Sequence, residues 1–178
     1  MRVVAGALRG RRLGAPRGRR TRPTADRVRE ALFSMLGSVE GLRVLDLFAG
    51  SGALGIEALS RGAAAAVFVD RDPRAVAAIH RNLEALGLEG TVRRADAVAF
   101  LTSAGAHRAA PFDLVFVDPP YSSAGRVAGP LSERLPALLS KDALVVTESD
   151  KRTPLDLALP LERERAYGDT RIALHHAR

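Results

Sequence analysis

Short apolar runs alternate with helical segments along most of this chain, and this alternation restricts its fold more than any other feature of the sequence. Apolar strands are predicted at 44–48, 66–69, 91–94, 112–117 and 143–148. Helices are predicted between them, ending at Ser60, spanning Pro73–Leu86, following Asp96 and lying near 126–139. Strands that alternate with helices predict an α/β fold, a mostly parallel sheet with helices on both faces. Two more strand-like runs follow, at 158–165 and 170–176.

Acidic residues stand at or just beyond the ends of four predicted strands. They are Asp46, Asp70, Asp96 and Asp118. Parallel α/β sheets bind their ligands beyond the carboxyl ends of the strands, at one edge of the sheet. We therefore expect these carboxylates to share one rim and to form a ligand site there.

A glycine-rich turn follows the first predicted strand. Residues 50–55 read Gly-Ser-Gly-Ala-Leu-Gly, and Asp70 comes about 20 residues after the first glycine, as in the dinucleotide fingerprint. An NAD-dependent oxidoreductase is therefore one interpretation. Asp46 favours another, because its carboxylate would repel a diphosphate but attract the sulfonium and ammonium groups of S-adenosylmethionine. Asp96 suits an adenine amino group, and both Asp70 oxygens suit ribose hydroxyls.

The fourth strand leads into Asp118-Pro119-Pro120-Tyr121, where a methyl-transfer site needs polar acceptors. The Asp118 carboxylate and the Pro119 carbonyl would each accept one hydrogen of an amine. Consecutive prolines donate no backbone N–H and restrict the local backbone, which helps to hold that carbonyl outward. Tyr121 offers a face on which a base can stack.

Positive charge is concentrated at the amino terminus. Residues 1–30 contain ten arginines and two acidic residues, and the rest of the chain is close to neutral. This asymmetry indicates a polyanionic partner such as RNA, whereas a solvated arm is the alternative. A hairpin is predicted at 2–14, a mobile loop at 15–23, and then a helix capped by Thr24. On this helix, Asp26, Arg27 and Arg29 line either the entrance to the pocket or the protein surface. The candidate RNA contacts are Arg9, Arg11, Arg12, Arg19, Arg20, Arg22 and Arg27.

The chain has no cysteine, which excludes a disulfide scaffold, a thiolate metal site and a cysteine nucleophile. No apolar stretch reaches the roughly 18 residues of a membrane span, and no apolar core of a secretion signal follows Met1. The four histidines lack metal-ligand spacing with nearby acids, so no metal site is predicted. We expect a cytoplasmic protein without a membrane partner.

Four segments resemble the RsmD family, S-adenosylmethionine-dependent guanine-N2 methyltransferases of bacterial small-subunit ribosomal RNA. They are 2–13, 22–33, 45–52 and 112–121. Many methyltransferases share the third segment, and amino-group methyltransferases of DNA and RNA share the fourth. The second, Arg-Pro-Thr-Ala-Asp-Arg-Val-Arg-Glu-Ala-Leu-Phe, is the most specific to the family. One departure is Asp70, where many such enzymes carry Glu.

The resemblance implies the Rossmann-like, seven-stranded fold of class I methyltransferases, with its last two strands as an antiparallel hairpin. It implies a basic N-terminal extension, 1–38, before a catalytic domain, 39–178. The expected substrate is ribosomal RNA in a partly assembled small subunit. A monomer is expected by default, because the near-neutral body of the chain gives no hint of a large apolar interface. Asp118, Pro119, Pro120 and Tyr121 are then the catalytic segment. The expected cofactor contacts are Asp46, Phe48, Ala49, Gly50, Ser51, Gly52, Asp70, Asp96 and Ala97.

Three alternatives stay open on the sequence. An adenine-N6 methyltransferase shares the glycine turn and the Asp-Pro-Pro-Tyr segment, but we expect it to carry a separate target-recognition domain, for which 178 residues leave no room. An oxidoreductase has no evident use for that segment. A non-enzymatic RNA-binding assembly factor would have no need of the intact Asp46, Gly50, Gly52 and Asp118.

Overall fold

A computed structural model describes residues 1–16 and 26–178 of the chain. Within these ranges seven strands form one sheet: β1 (Arg43–Leu47), β2 (Ala65–Asp70), β3 (Thr91–Arg94), β4 (Phe112–Val117), β5 (Leu139–Asp150), β6 (Leu161–Tyr167) and β7 (Thr170–His176). Their order is β3-β2-β1-β4-β5-β7-β6. Neighbours among β1 to β5 are parallel, and β7 runs antiparallel to both β5 and β6. The predicted sheet and its antiparallel tail are confirmed.

Helices cover both faces of the sheet, as expected for buried parallel strands. They are α1 (Asp26–Leu36), α2 (Ala53–Ser60), α3 (Pro73–Leu86), α4 (Ala97–Leu101), α5 (Ala104–Ala109) and α6 (Ala124–Arg134). One core lies between the sheet and α1, α2 and α3, and includes Phe33, Phe68 and Phe116. A second core lies between the opposite face and α4, α5 and α6, and includes Phe100 and Phe112.

The predicted helix near 126–139 is shorter than expected. It ends at Arg134 and gives way to a 3₁₀ turn at Leu135–Leu138, where Pro136 has no N–H to continue an α-helix. The strand that follows starts at Leu139 rather than at residue 143. The short helix α5 was not predicted, because its six residues are too few to show a periodicity.

The amino-terminal segment differs from the predicted hairpin of two strands around residues 9–11. It has one antiparallel bridge, between Arg2 and Arg12, which closes a loop with bends and turns at 5–10. Val3 and Leu13 are buried in the first core, so the loop packs against that core. Backbone hydrogen bonds from Val3 N to Arg11 O, at 2.9 Å, and from Leu13 N to Met1 O, at 3.1 Å, pair the two ends of this loop. The predicted mobile loop, from residue 17 to its end, and the Thr24 cap lie outside the described residues.

Glu57 of α2 anchors this amino-terminal loop. Its buried carboxylate accepts hydrogen bonds from the backbone N–H groups of Val4 and Ala5, at 2.7 and 2.9 Å. At Gly6 a Cβ would lie 1.9 Å from the carbonyl oxygen of Ser60, so only glycine allows this approach. The domain boundary at residue 38 stays a prediction.

No helix in the described part of the chain is both long enough and apolar enough to cross a membrane.

Candidate active site

The turn between β1 and α2 is built from left-handed residues. Phe48, Gly50 and Gly52 have φ angles of 60°, 58° and 78°. A left-handed conformation is uncommon for phenylalanine and marks a backbone held by its surroundings. Asp46, inside β1, contributes by accepting a hydrogen bond from the Gly55 N–H at 3.0 Å. The turn is therefore tied to the strand before it and to the helix after it.

The three glycines of this turn have different roles. A Cβ on Gly55 would lie 2.3 Å from Cε1 of Phe68, so this glycine lets α2 pack against β2. A Cβ on Gly52 would lie 3.2 Å from Ile79 Cγ1, which is also a packing contact. A Cβ on Gly50 would approach only the Phe48 carbonyl oxygen, at 3.9 Å. Gly50 is thus the glycine with open space beside it, where a ligand can approach the backbone.

Asp70 and Asp96 lie at the predicted rim and bind backbone N–H groups there. Asp70 ends β2, and its two carboxylate oxygens accept hydrogen bonds from Gly50 N and Asp72 N, both at 2.8 Å. Asp96 is exposed and caps α4 through Val98 N and Ala99 N, which both donate to the same oxygen. The Asp96 cap was not predicted, and the second carboxylate oxygen of Asp96 takes no part in it.

Asp118 follows β4 directly, at the centre of the same rim. The register of Val117 with Leu47 and with Thr147 puts it between the ends of β1 and β5. Pro119, the next residue, is buried. The carbonyl of Pro120 accepts hydrogen bonds from both N and Oγ of Ser123, each at 2.8 Å.

Tyr121 completes the segment after β4. Its side chain is 43% exposed, which makes it one of two large apolar residues exposed in the described part of the chain. The ring therefore lies open to a partner at the rim.

Among the described residues, the rim carries several acidic side chains, and two of them have raised pKa values. Burial is the largest cause that raises the pKa of Asp46 to about 8. The hydrogen bond from the Gly55 N–H lowers this pKa, and the nearby Asp70 carboxylate raises it further. Burial, Glu148 and Asp46, in that order, raise the pKa of Asp118 well above its usual range. A cationic ligand would stabilise the ionised carboxylates, whereas a diphosphate would be repelled. This donor set fits S-adenosylmethionine, with the open side of Gly50 as the backbone approach.

Two residues that sequence reasoning missed belong to this site. Glu148 is buried beside Asp118, and its signal in the sequence is a polar ending, Thr-Glu-Ser-Asp, after the apolar run 143–146. Asn82 lies buried on α3, where its Nδ2 donates to the carbonyl of Ser51 at 2.9 Å. It also bonds both N and O of Gly14, at 2.8 and 3.0 Å. A lone polar residue on the apolar stripe of a helix is the only signal for Asn82.

The structure describes four of the seven candidate RNA-binding arginines, and Arg11 among them lies away from this rim. Arg9, Arg11, Arg12 and Arg27 are exposed. Arg11 donates to the carbonyl of Ala85 at 3.0 Å, near the end of α3, which lies toward the opposite edge of the sheet. Arg19, Arg20 and Arg22 lie outside the described residues.

Arg29 corrects an expectation, because it lines neither the pocket entrance nor the surface. Its side chain is fully buried and forms ion pairs with Asp26, at 3.0 Å, and Glu57, at 4.0 Å. It also donates to the backbone carbonyl of Arg2. Arg29 thus holds α1 and the amino-terminal loop against α2.

Comparisons with known proteins agree with this geometry. The ribosomal RNA small subunit methyltransferase D of Escherichia coli K12 is 37% identical over 98% of this chain and 89% of its own length. A hypothetical protein of Thermus thermophilus has a solved structure with a TM-score of 0.84 and 34% identity, covering 99% of both chains. A Thermus thermophilus 16S rRNA N2 G1207 methyltransferase, solved with AdoMet and guanosine, has a TM-score of 0.74 and 25% identity over 93% of this chain and 46% of that one.

A family model described as conserved hypothetical protein 95 matches residues 1–176. The chain therefore belongs to this family, the RsmD family that its four sequence segments resemble.

Proposed function

We propose that this protein uses S-adenosylmethionine to methylate the exocyclic N2 amine of a guanine in small-subunit ribosomal RNA. The observation that carries the proposal is the Asp-Pro-Pro-Tyr segment at the end of β4, beside the glycine turn that follows β1. The Escherichia coli relative is named for methylation of small-subunit ribosomal RNA, which supports the substrate class. The neighbour solved with AdoMet and guanosine supports the cofactor and the purine.

The glycine turn and the acids around it form the cofactor seat. The open side of Gly50 allows close approach to the backbone, and Asp70 holds the Gly50 N–H in place. Ionised Asp46 would face the positive charge of the cofactor. When bound, S-adenosylmethionine supplies a methyl group on a sulfonium centre, the electrophile of the transfer. The remaining contacts that we assign are Phe48, Ala49, Ser51, Gly52, Asp96 and Ala97.

The segment after β4 orients the amine. The lone pair of an exocyclic purine amine is delocalised into the ring, so the site must hold the nitrogen in a reactive orientation. The Asp118 carboxylate accepts one amine hydrogen. The Pro120 carbonyl is occupied by Ser123, so the Pro119 carbonyl is the acceptor that we assign to the second hydrogen. Orientation of this kind contributes roughly 7–11 kcal/mol in favourable cases.

Tyr121 provides the stacking face for the target guanine. Its exposure at the rim leaves the ring accessible, and stacking of a base on an aromatic side chain is worth about 1–3 kcal/mol. The target base has to be unpaired or flipped out of its helix to reach Asp118. We assign RNA backbone contacts to the seven arginines named from the sequence, with the protein acting as a monomer on a partly assembled small subunit.

The experiment is methyl transfer from labelled S-adenosylmethionine to small-subunit RNA, offered naked and as protein-bound particles, with identification of the product nucleoside. N2-methylguanosine is the expected product. N6-methyladenosine would retain the cofactor and overturn the target base. No transfer to either substrate, with the cofactor bound, would overturn the activity.

Two variants sharpen this test. Asp118→Ala should abolish turnover and leave S-adenosylmethionine affinity within a few fold of wild type. Asp113→Ala is the matched control, because Asp113 lies on the same strand at the opposite edge and bonds the Arg43 N–H there. An equal loss of turnover in both variants would remove Asp118 from the catalytic role.

A further inference from the structure

One side chain joins the glycine turn to the end of the amino-terminal loop. The Asn82 amide on α3 donates from Nδ2 to the carbonyls of Ser51, at 2.9 Å, and Gly14, at 3.0 Å. Its Oδ1 atom accepts the Gly14 N–H at 2.8 Å, so both donors of the amide are used together with its acceptor. Asn82 is buried, with 5% of the residue exposed, so water competes little for these bonds. A second contact joins the same two segments, because Ser51 Oγ lies 4.0 Å from the Met1 sulfur.

The Ser51 carbonyl needs this side chain because the helix after the turn does not supply its partner. In a helix extended backwards through the turn, the N–H four residues on, at Gly55, would bond to this carbonyl. The Gly55 N–H donates instead to Asp46, at 3.0 Å. Asn82 thus holds the peptide group that follows Ser51, next to the open side of Gly50 where we place the cofactor.

The amino-terminal loop has another attachment, which does not involve the glycine turn. Ser60, at the far end of α2, accepts the Leu8 N–H at 3.0 Å and donates from its hydroxyl to the Ala5 carbonyl at 2.7 Å. Asn82 and Ser60 therefore both hold the loop by side-chain hydrogen bonds, but of these two only Asn82 also bonds the turn.

We propose that Asn82 is a positioning residue that couples the amino-terminal loop to the cofactor seat, so that each orders the other. This inference rests on the proposed function, and specifically on its cofactor. A turn that Asn82 already holds in one conformation needs no free energy of binding to become ordered. Linkage makes the effect reciprocal, because a cofactor that fixes the turn also stabilises the loop bonded to the same amide. The loop carries Arg9, Arg11 and Arg12, so cofactor binding also orders a candidate RNA surface.

The first test is the affinity for S-adenosylmethionine, measured by isothermal titration calorimetry on the full chain without RNA. Asn82→Leu keeps a side chain of similar size and removes all three hydrogen bonds. The matched control is Ser60→Ala, which loosens the same loop at its other attachment. We expect Asn82→Leu to weaken cofactor binding about tenfold or more, and Ser60→Ala to stay within about twofold of wild type. Asn82→Ala should show the same loss and replaces Asn82→Leu if that variant does not fold, and unchanged affinity in the folded variant would overturn the proposal.

Steady-state kinetics separate positioning from a general loss of structure. In the methyl-transfer assay, Asn82→Leu should raise the KM for S-adenosylmethionine and leave kcat at saturating cofactor within about threefold of wild type, because excess cofactor restores the order of the turn. A lower kcat with an unchanged KM would indicate a smaller amount of folded enzyme, and would overturn the positioning role.

The second test is amide hydrogen exchange in the amino-terminal loop, which measures the reciprocal effect. The probes are the N–H groups of Val3 and Leu13, which bond carbonyls within the loop, and the reference is the His176 N–H, which bonds the Pro160 carbonyl in the tail. Saturating S-adenosylmethionine should slow exchange at both probes about fivefold or more relative to the reference. This slowing should disappear in Asn82→Leu and persist in Ser60→Ala. Slowing that persists in Asn82→Leu would overturn the coupling.

The outcomes for the cofactor, the coupling and the methyl transfer are distinguishable. Wild-type protein that binds no S-adenosylmethionine would overturn both this inference and the proposed function. A protein that shows the coupling but methylates no RNA would refute the proposed function alone.

Discussion

The Asp70 carboxylate holds the backbone of Gly50, with 2.8 Å between Asp70 Oδ2 and Gly50 N. This bond joins the end of β2 to the turn after β1. The other Asp70 oxygen accepts the Asp72 N–H at 2.8 Å, so the carboxylate also shapes the entry to α3. An acid expected to contact the ribose of the cofactor is therefore also part of the scaffold that positions the glycine turn.

Asp70→Asn should weaken S-adenosylmethionine binding while the protein stays folded. The amide has one acceptor oxygen and one NH₂ group, so one of the two backbone N–H groups faces another donor. Hydrogen bonds to charged groups contribute about 1.5–3 kcal/mol, equivalent to a roughly 10- to 150-fold loss of affinity. Isothermal titration calorimetry measures the loss. The control is Asp72→Asn, since asparagine also caps helices well, and equal losses in both variants would contradict the assignment.

Alanine at Gly55 and alanine at Gly50 should give opposite results. At Gly55 the new Cβ meets Phe68 at 2.3 Å, so α2 must move from the sheet, and we expect a loss of about 1–3 kcal/mol in unfolding free energy. At Gly50 the new Cβ has space, and placing alanine in the left-handed backbone conformation of this residue costs roughly 1 kcal/mol in unfolding free energy. There the main expected effect is weaker cofactor binding. Urea unfolding and calorimetry separate the two effects, and a Gly50→Ala variant with unchanged cofactor affinity would place the ligand elsewhere.

Tyr121→Ala should raise the KM for RNA without a change in stability or in cofactor affinity. The ring is 43% exposed, so its removal creates no cavity in the core. The loss of a stacked base corresponds to about 1–3 kcal/mol, or a roughly 5- to 150-fold increase. Tyr121→Phe retains the stacking face and serves as the control. If Tyr121→Phe is as impaired as Tyr121→Ala, the hydroxyl rather than the face of the ring is the important group.

Glu57→Gln should loosen the amino-terminal loop. The buried Glu57 carboxylate accepts the N–H groups of Val4 and Ala5 and forms an ion pair with Arg61 at 2.8 Å. Removal of one partner from a buried ion pair costs about 3–5 kcal/mol. We expect a lower urea midpoint and faster tryptic cleavage before residue 16. The exposed Glu40→Gln is the control, and unchanged cleavage in Glu57→Gln would mean that apolar contacts alone hold the loop.

The stability of the protein without its cofactor should fall as the pH rises toward 8, with Asp46 as one cause. The pKa of Asp46 is 3.8 in the unfolded reference and about 8 in the folded protein. Between these values the folded state binds more protons, so unfolding becomes easier as the pH increases. One proton corresponds to at most about 1.4 kcal/mol per pH unit.

Asp46→Asn should reduce this slope in urea unfolding experiments between these two pKa values. The slope should not vanish, because the pKa of Asp118 is also raised. Parallel slopes in the variant and the wild type would contradict the raised pKa of Asp46. Binding of the cationic cofactor should release protons, which calorimetry in buffers of different ionisation enthalpy detects.

Most of the fold could be predicted from local patterns. The segments Pro73–Leu86, Thr91–Arg94 and Phe112–Val117 have the predicted bounds, because caps, glycines and apolar runs define them within a few residues. The longer β5 and the early end of α6 could not be predicted in this way. Their limits depend on pairing with β4 and β7, which involves residues far away in the sequence.

The rim acids could be predicted because strand ends mark them, and Asp70 and Asp118 lie where the alternation puts them. For Glu148 the polar end of its strand is the only local signal, and the register of β4 with β5 is what puts it beside Asp118. Arg29 lies on the buried face of α1 with Leu32 and Phe33, and its contacts with Glu57 of α2 and with the amino-terminal loop could not be predicted from the local sequence.

The sequence by itself determined the order of strands and helices, the edge of the sheet that carries the acids, and the glycine turn. These features depend on interactions over a few residues, namely periodicity, capping and backbone freedom. The tertiary structure decided which carboxyl groups are neighbours, which arginine is buried, and which glycine has open space. Those outcomes depend on the distances between residues such as Asp118 and Glu148, 30 positions apart in the chain, and on how far each residue is exposed to solvent. Both quantities are set by the packing of the folded chain.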